Sequence, residues 1–418
     1  MIHYPIELQT IFDKLSLFEI EPIIVGGFIR DALLGNSSKD IDIELYGAAS
    51  LSKVEEILSE FGSVNSVGRS FGVCKLRYKS YDLDFSLPRR ENKIADGHKG
   101  FDVVTEKNLD FKTATSRRDF TINAIGMNPK THLILDPFNG ISDLKNKKLT
   151  AVNLQTFDED PLRVLRCVQF ASRFELEVEE KLFFKCKEMI QERMLEELPR
   201  ERVFTEFTKL LLKSMKPSSG LWLLDSLGAF SFFKEFEKLS DDEKEKIFHH
   251  VDRLALKKTQ DEKEKLTLML ALLCQNFSQT QRESFLYRLT LEQKIIKDVE
   301  NLLSVYRQTP LRLMSNYEVY LLATRIEVRV FLLFLYAQSS KNTDSLLELL
   351  QKQAHDLGVY TTPLKALIKG KDLLSLGQKP SALFSKILQR VYDAQMQGQF
   401  REKQEALEWV KELLDFRR

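Results

Sequence analysis

Residues 23–45 read IIVGGFIRDALLGNSSKDIDIEL, a short apolar strand, a pair of glycines, a helix and a second strand with alternating acids. Asp40 and Asp42 are two residues apart on that second strand. Both carboxylates therefore project from one face, and the isoleucine that follows each of them faces the other side. Hard oxygen ligands on one side of a sheet suit Mg²⁺, which binds one or two carboxylates together with substrate phosphates.

The paired glycines Gly26 and Gly27 stand just before the predicted helix. Without side chains they let backbone N–H groups approach a phosphate closely at a helix N-terminus. A D-x-D pair alone favours a solvated edge strand, and two glycines alone favour a simple turn. When the glycine pair, Arg30-Asp31 and the D-x-D pair occur together at this spacing, a functional site is favoured over both of these structural explanations. We therefore predict a phosphate- and metal-binding site here.

Composition excludes several classes of protein. The chain has 418 residues, which suggests two to four domains, and its net charge of +1 gives no global sign of a nucleic-acid partner. The four cysteines show no C-x-x-C spacing, so neither a zinc site nor a disulfide framework is indicated. This cysteine pattern fits a protein of a reducing compartment. Neither a signal peptide nor a membrane-spanning run is visible, and we expect a cytoplasmic protein. The sequence contains no G-x-x-x-x-G-K-[ST] loop, which argues against a Walker-type NTPase.

A second acidic strand is predicted after the first. A helix over 50–62 leads into three strands separated by turns, and the last strand carries Asp82 and Asp84 on one face. If the two acidic strands are neighbours, a third carboxylate joins the first two, and such a set can hold two metal ions. The alternative is a solvated hairpin. Strand–helix alternation followed by hairpins predicts a small mixed α/β sheet rather than a doubly wound one.

Two segments follow the acidic strands. Residues 89–118 are charged, contain glycine and show weak periodicity, which predicts a long loop. The next segment, RRDFTINAIGMN at 117–128, begins with two arginines whose forked donors suit phosphate. Asp119 and Asn123 can hydrogen-bond ribose hydroxyls. The alternative is a basic turn in which the aspartate caps a short helix.

From about residue 157 the pattern is almost wholly helical. A helix is predicted to begin near Pro161, which places Asp160 and Arg163 next to each other on its surface. The pair is either a surface ion pair worth about 0.2–0.5 kcal/mol or a set of hydrogen-bonding groups for a nucleotide base. The clearest break in composition is KPSSG at 216–220.

Six blocks together resemble the class II tRNA nucleotidyltransferases (CCA-adding enzymes) and the related bacterial poly(A) polymerases. In family order over 25–166 they are VGGFIRDALLG, KDIDI, DLDFSLPRRE, RRDFTINA, DPFNGISDL and EDPLRVLR. The resemblance implies a polymerase β-like α/β head with a small mixed sheet, followed by an all-α neck, body and tail. With the composition break at 216–220 taken as a domain boundary, we expect the catalytic head at 1–138, a neck that recognises the base at 139–215, and an RNA-binding body and tail at 216–418.

The resemblance also implies roles for individual residues. Asp40 and Asp42 resemble the metal-binding catalytic pair. Asp84 resembles a third catalytic carboxylate, because it sits seven residues before Glu91, although Asp82 shares its face. Segment 89–118 resembles a flexible loop associated with the switch to A addition. The nucleotide-binding positions carried over are Gly26, Gly27 and Arg30 at the triphosphate-side turn, Arg118, Asp119 and Asn123 in the ribose block, and Asp160, Arg163 and Arg166 around the base-selecting pair.

The implied activity is template-independent addition of C, C and then A to the 3′ end of tRNA from CTP and ATP, with release of pyrophosphate. The implied cofactor is Mg²⁺ in a two-metal site, with Mn²⁺ as its alternative. Ser70 and Gly72 resemble the tRNA enzymes rather than the poly(A) polymerases. The alternatives are an A-only or CC-only enzyme, a poly(A) polymerase, or a catalytically silent RNA-binding protein, against which the intact acids argue. The expected partners are tRNA, CTP and ATP, without membrane or DNA, for a monomer or homodimer.

Overall fold

The computed structural model describes residues 2–68, 72–93, 101–105 and 109–415. The chain forms two compact units. One runs to Leu239 and includes Arg288–Thr290, and the other comprises Ser240–Tyr287 and the chain from Leu291 onward.

The first unit combines a mixed sheet with helices. Its described elements, in chain order, are α1 (Gln9–Leu17), β1 (Glu21–Val25), α2 (Gly27–Leu33), β2 (Asp40–Tyr46), α3 (Leu51–Leu58), β3 (Val64–Gly68), β4 (Val73–Tyr78), β5 (Tyr81–Ser86), β6 (Arg89–Lys93), β7 (Phe101–Thr105), α4 (Phe111–Thr115), β8 (Gly126–Met127), β9 (Ile134–Leu135), α5 (Gly140–Lys145), β10 (Lys148–Leu149), α6 (Leu162–Phe174), β11 (Glu177–Val178), α7 (Glu180–Gln191), α8 (Arg200–Lys213) and α9 (Pro217–Leu227).

The main sheet has the strand order β3-β4-β5-β2-β1-β8-β9 among the described residues. β2 and β5 run parallel, while the other pairings described in this sheet are antiparallel. The register sets Asp40 opposite Asp82 and Asp42 opposite Asp84. The two acidic strands are therefore neighbours, and the predicted small mixed sheet is confirmed.

The period-two pattern of β2 explains why the acids lie on one face. Ile41 and Ile43 are buried in the core, whereas Asp40 and Asp42 are exposed on the opposite side. The neighbouring strand β1 is buried along most of its length, as expected for an apolar central strand. The sheet thus offers its acidic face to the side where a ligand can approach.

The prediction of one long loop over 89–118 is wrong for its described residues. β6 and β7 pair as an antiparallel hairpin, and α4 follows. The sequence of β6 is Arg-Arg-Glu-Asn-Lys. It lacks the alternation of apolar and polar residues that marks a half-buried strand, so the sequence pattern does not predict a strand here. Residues 94–100 and 106–108, like the proposed discriminator Ser70, lie outside the described residues.

The composition break at 216–220 lies at the start of a helix. Pro217 occupies the first turn of α9, where proline is well tolerated. A Cβ on Gly220 would lie 2.4 Å from Leu210 Cδ1 and 3.0 Å from Ser172 Cβ, so this glycine permits close packing against α8 and α6. The first unit continues to Leu239, and the division into head, neck and body remains a prediction.

The second unit is helical throughout its described elements, as predicted. No helix in the described part of the chain is long and apolar enough to span a membrane. A cluster that includes Leu373, Val391 and Val410 forms the core of the last three helices. The helices are α10 (Asp241–Ala255), α11 (Glu262–Cys274), α12 (Gln279–Leu289), α13 (Gln293–Gln308), α14 (Asn316–Arg325), α15 (Val328–Gln338), α16 (Lys341–Asp356), α17 (Gly370–Ser375), α18 (Ala382–Met396) and α19 (Lys403–Asp415).

Candidate active site

An open cleft of about 520 Å³ lies in the first unit beside the acidic face of β2. Six arginines and four carboxylates are among its described lining residues, so the cleft carries an excess of positive charge. Such a lining suits a polyanionic ligand such as a triphosphate. The lining residues predicted from the sequence are Gly27, Arg30, Asp42, Arg118, Asp119, Asn123, Asp160, Arg163 and Arg166.

The carboxylates of the two acidic strands share one face, and Asp42 reaches the cleft. Although the Asp42 side chain is exposed at the cleft, surrounding protein atoms displace part of the water around its carboxyl group, and this desolvation raises its pKa. Arg118 opposes that rise, while Asp84 and Glu44 add to it. The Asp84 carboxylate accepts a hydrogen bond from Lys75 Nζ at 2.6 Å. Negative charge is therefore crowded at this point of the sheet.

The donor set fits a hard divalent cation. Asp40 and Asp42 present oxygen ligands from one strand face, with Asp84 in register beside the second of them. Within the described residues no group of three or more acidic, histidine or cysteine side chains is arranged to hold a metal ion. Mg²⁺ does not require such a cage, since it commonly uses one or two carboxylates and completes its shell with phosphates and water.

The glycine turn brings a cation to the cleft. Gly26 has φ +70°, a conformation that glycine adopts without strain, and α2 begins at Gly27. Arg118 Nη1 donates to the Asn123 backbone oxygen at 3.1 Å. It lies where a Gly26 side chain would be, 2.7 Å from an ideal Cβ. The absent side chain makes room for this guanidinium.

We expect Gly26→Ala to destabilise the fold by roughly 1–3 kcal/mol, because of backbone strain, and also to raise KM for the nucleotide by displacing Arg118. Gly35→Ala is the matched control, since Gly35 has φ +78° with no described atom within 4 Å of an ideal Cβ. Urea unfolding and KM measurements on both variants check the expectation. An equal KM in the two variants would exclude the steric effect on Arg118.

The ribose block forms a buried hydrogen-bonded network. Asp119 Oδ1 accepts from Asn123 Nδ2 at 3.0 Å, and its Oδ2 accepts from Arg166 Nε at 2.7 Å. Burial alone would raise the pKa of Asp119, but Arg166 and the hydrogen bonds lower it overall. Arg30, 5% exposed, donates to Asn123 Oδ1 at 2.6 Å and stacks on Phe174. The structure thus brings these predicted residues together, with Arg30 supporting Asn123.

Of the two alternatives for Asp160 and Arg163, the surface ion pair between them does not form. Asp160 precedes α6 rather than lying on it, and its carboxylate accepts two hydrogen bonds from Arg202 at 3.1 and 2.8 Å. Arg163 donates at 2.8 Å to the backbone oxygens of Thr156 and Arg117. Both side chains line the cleft in fixed positions, which is compatible with the base-reading alternative.

Sequence reasoning assigned no role to three residues that contact this site. Glu44 binds Arg117 and Arg118, Arg202 binds Asp160, and Glu206 lies 3.7 Å from Arg166. Glu44 continues the period-two series of acids on β2, a signal that was visible. Arg202 is 42 residues from its partner, and helical periodicity gives no sign of that contact.

Family models cover most of the chain in three segments. Residues 23–150 match the poly A polymerase head domain, and residues 175–239 match a probable RNA and SrmB-binding site of polymerase A. Residues 257–410 match a putative tRNA nucleotidyltransferase domain 2.

Curated relatives and solved structures agree with these models. A CCA-adding enzyme of Lactococcus lactis subsp. cremoris strain MG1363 is 30% identical over 98% of this chain and 97% of its own. One from Streptococcus mutans is 28% identical over 99% of both chains. The crystal structure of the Bacillus stearothermophilus CCA-adding enzyme in complex with CTP covers 99% of both chains with a TM-score of 0.76 at 20% identity. The Thermotoga maritima CCA-adding enzyme complexed with tRNA-CCA covers 99% of this chain and 97% of its own, with a TM-score of 0.67 at 21% identity. The protein is thus a nucleotidyltransferase and belongs to the family of CCA-adding enzymes.

Proposed function

We propose that the protein adds C, C and A in sequence to the 3′ end of tRNA, using CTP and ATP and no template. Full-length similarity to CCA-adding enzymes carries this proposal, and the cleft supports it. In each step the RNA 3′ oxygen forms a bond to the α-phosphorus of the nucleotide. The bond from that phosphorus to the pyrophosphate oxygen breaks, pyrophosphate leaves with that bond's electron pair, and the hydroxyl proton passes to solvent.

In this transfer the acidic residues bind metal and the arginines bind phosphate. We assign Asp40 and Asp42 to hold a divalent metal, proposed to be Mg²⁺, with Asp84 as the third carboxylate. When bound there, the metal supplies Lewis-acid activation of the hydroxyl and neutralises developing charge. We assign Arg118, which faces the turn at Gly26, to bind the triphosphate. A positive cleft of this kind binds and orients the phosphates of the nucleotide.

Protein side chains, rather than a nucleic-acid template, select the base in this proposal. Asp119 and Asn123 hold the ribose. Asp160 and Arg163 use the hydrogen-bonding capacity that their contacts within the protein leave over to bind the edge of C or A. Both side chains are fixed by other hydrogen bonds, which reduces the entropy lost on binding. A base that leaves one such group unpaired is disfavoured by about 1–3 kcal/mol.

The remaining assignments concern the whole chain. We propose a catalytic head over 1–138, a base-recognising neck over 139–215 and an RNA-binding body and tail over 216–418. Because the proposed substrate is tRNA, we place the protein in the cytoplasm. The head-domain similarity to poly A polymerases makes poly(A) synthesis the second candidate.

Incubation of the purified protein with defined RNAs and single labelled nucleotides tests the proposal. Three RNAs are needed: a tRNA ending before the first C, the same tRNA ending in CC, and an unrelated RNA. We expect CTP to add two C residues to the first RNA and ATP to add one A to the second. We expect no nucleotide to be added to the unrelated RNA. Addition of A alone to the CC end would indicate an A-only enzyme, and C without A a CC-only enzyme. Long A tails would indicate a poly(A) polymerase, and no incorporation an RNA-binding protein.

A further inference from the structure

Glu44 is a buried carboxylate at the edge of the cleft. It follows Asp42 by two residues on β2, and its side chain is 1% exposed. A buried carboxylate costs free energy unless it is paired. The groups that pair with Glu44 therefore indicate its role in the cleft.

Both oxygens of Glu44 are occupied. Oε1 accepts hydrogen bonds from Arg118 Nη2 at 3.0 Å and from Arg117 Nη2 at 3.3 Å. Oε2 accepts from the Tyr46 hydroxyl at 2.9 Å. The carboxylate therefore joins two cations of the cleft wall.

The contact with Arg118 connects Glu44 to the glycine turn. One terminal nitrogen of Arg118 binds Glu44, and the other binds the Asn123 backbone oxygen beside Gly26. The guanidinium is planar, so two such contacts fix its plane as well as its position. Loss of Glu44 would leave two neighbouring like charges without a shared counter-ion.

We propose that Glu44 is a positioning residue that holds Arg117 and Arg118 in place to receive the triphosphate of the incoming nucleotide. The inference rests on the proposed function, because it takes a nucleoside triphosphate as the ligand of the cleft. Ordering two long side chains before the ligand arrives removes that entropic cost from binding. The contribution is made to bound substrate and transition state alike, so it affects KM more than kcat.

Glu44→Gln tests this most directly, since it keeps the volume and one acceptor oxygen but removes the charge. We expect KM for CTP and for ATP to rise roughly tenfold, kcat to change less than about threefold, and KM for tRNA to stay unchanged. Glu44→Asp keeps the charge but retracts it by one methylene. It should raise the nucleotide KM as well, and it serves as the second variant if the first does not fold.

Glu235→Gln is the matched control. Glu235 is also a buried carboxylate, 4% exposed, and Arg288 lies 3.5 Å from it, away from the described lining of the cleft. It should lower the denaturation midpoint without altering KM for either nucleotide. A general loss of stability would change both variants alike, whereas a positioning role changes the KM of the Glu44 variants alone.

Calorimetric titration with CTP separates the two hypotheses. Wild-type protein that binds CTP but incorporates nothing would overturn the proposed function, and weaker CTP binding by Glu44→Gln would still support the positioning role. Wild-type protein that incorporates normally, with Glu44→Gln unchanged in both KM and CTP affinity, would overturn the positioning role alone. Wild-type protein that binds no CTP would overturn both.

Discussion

Asp42→Asn abolishes nucleotide incorporation, with an expected loss of roughly 10³-fold or more in the single-turnover rate, equivalent to about 4 kcal/mol. Asparagine keeps the shape of the side chain but removes the charge that a divalent metal needs. Asp42 is the member of the D-x-D pair that lines the cleft. Asp40→Asn should act in the same direction. Incorporation of labelled C into a tRNA transcript gives the rate. Filter binding should show tRNA affinity unchanged within about twofold, since cationic contacts to phosphates dominate RNA binding and a carboxylate supplies none.

The third carboxylate can be identified in the same assay. Asp84 stands in register with Asp42, whereas Asp82 stands beside Asp40, has a side chain 62% exposed and lies 3.9 Å from Arg77. We expect Asp84→Asn to lose at least about 100-fold in rate and Asp82→Asn to lose less than about threefold, as for a solvent-screened surface pair. The reverse order would assign the role to Asp82. Normal incorporation by Asp42→Asn would refute the metal assignment itself.

Local pattern was sufficient to predict the acidic face of the sheet. Alternation in β2 and β5 fixes which side chains share a face, and apolar residues between the acids fix which face is buried. Pairing of the two strands could be stated only as a condition, because sequence period does not determine which strands are neighbours. The observed register of Asp42 with Asp84 supplies that missing fact.

Contacts between distant segments could not be predicted in the same way. The hydrogen bonds from Arg202 to Asp160 join α8 to the segment that leads into α6, and the contact of Glu44 with Arg118 spans 74 residues. Neither has a local signature. Residues 216–220 stood out only as a composition break, because Pro, Ser and Gly are common in turns. In the structure proline begins a helix there, and Gly220 allows two helices to approach. Composition reports backbone preference and leaves tertiary packing undetermined.

Arg163→Ala should reduce discrimination between C and A by roughly 10- to 100-fold, the range expected when one buried hydrogen-bonding partner is lost. Arg163 is held by the backbone oxygens of Thr156 and Arg117, so its guanidinium has a defined position in the cleft. Alanine removes both the donors and that fixed geometry. Triphosphate binding should suffer less, because Arg118 and its neighbours remain. The ratio of kcat/KM for CTP and ATP on tRNAs ending before the first C and after CC measures the effect.

Arg173→Ala is the matched control for that experiment. Arg173 lies on the same helix, α6, and pairs with Asp31 at 3.6 Å, but it is not among the described residues that line the cleft. Its loss removes an arginine of equal size and charge from the helix and should leave the C/A ratio within about twofold, as for a partly exposed ion pair. If Arg163→Ala also keeps full selectivity, base choice does not depend on this guanidinium. Asp160, which Arg202 holds in place, would then be the group to test for reading the base.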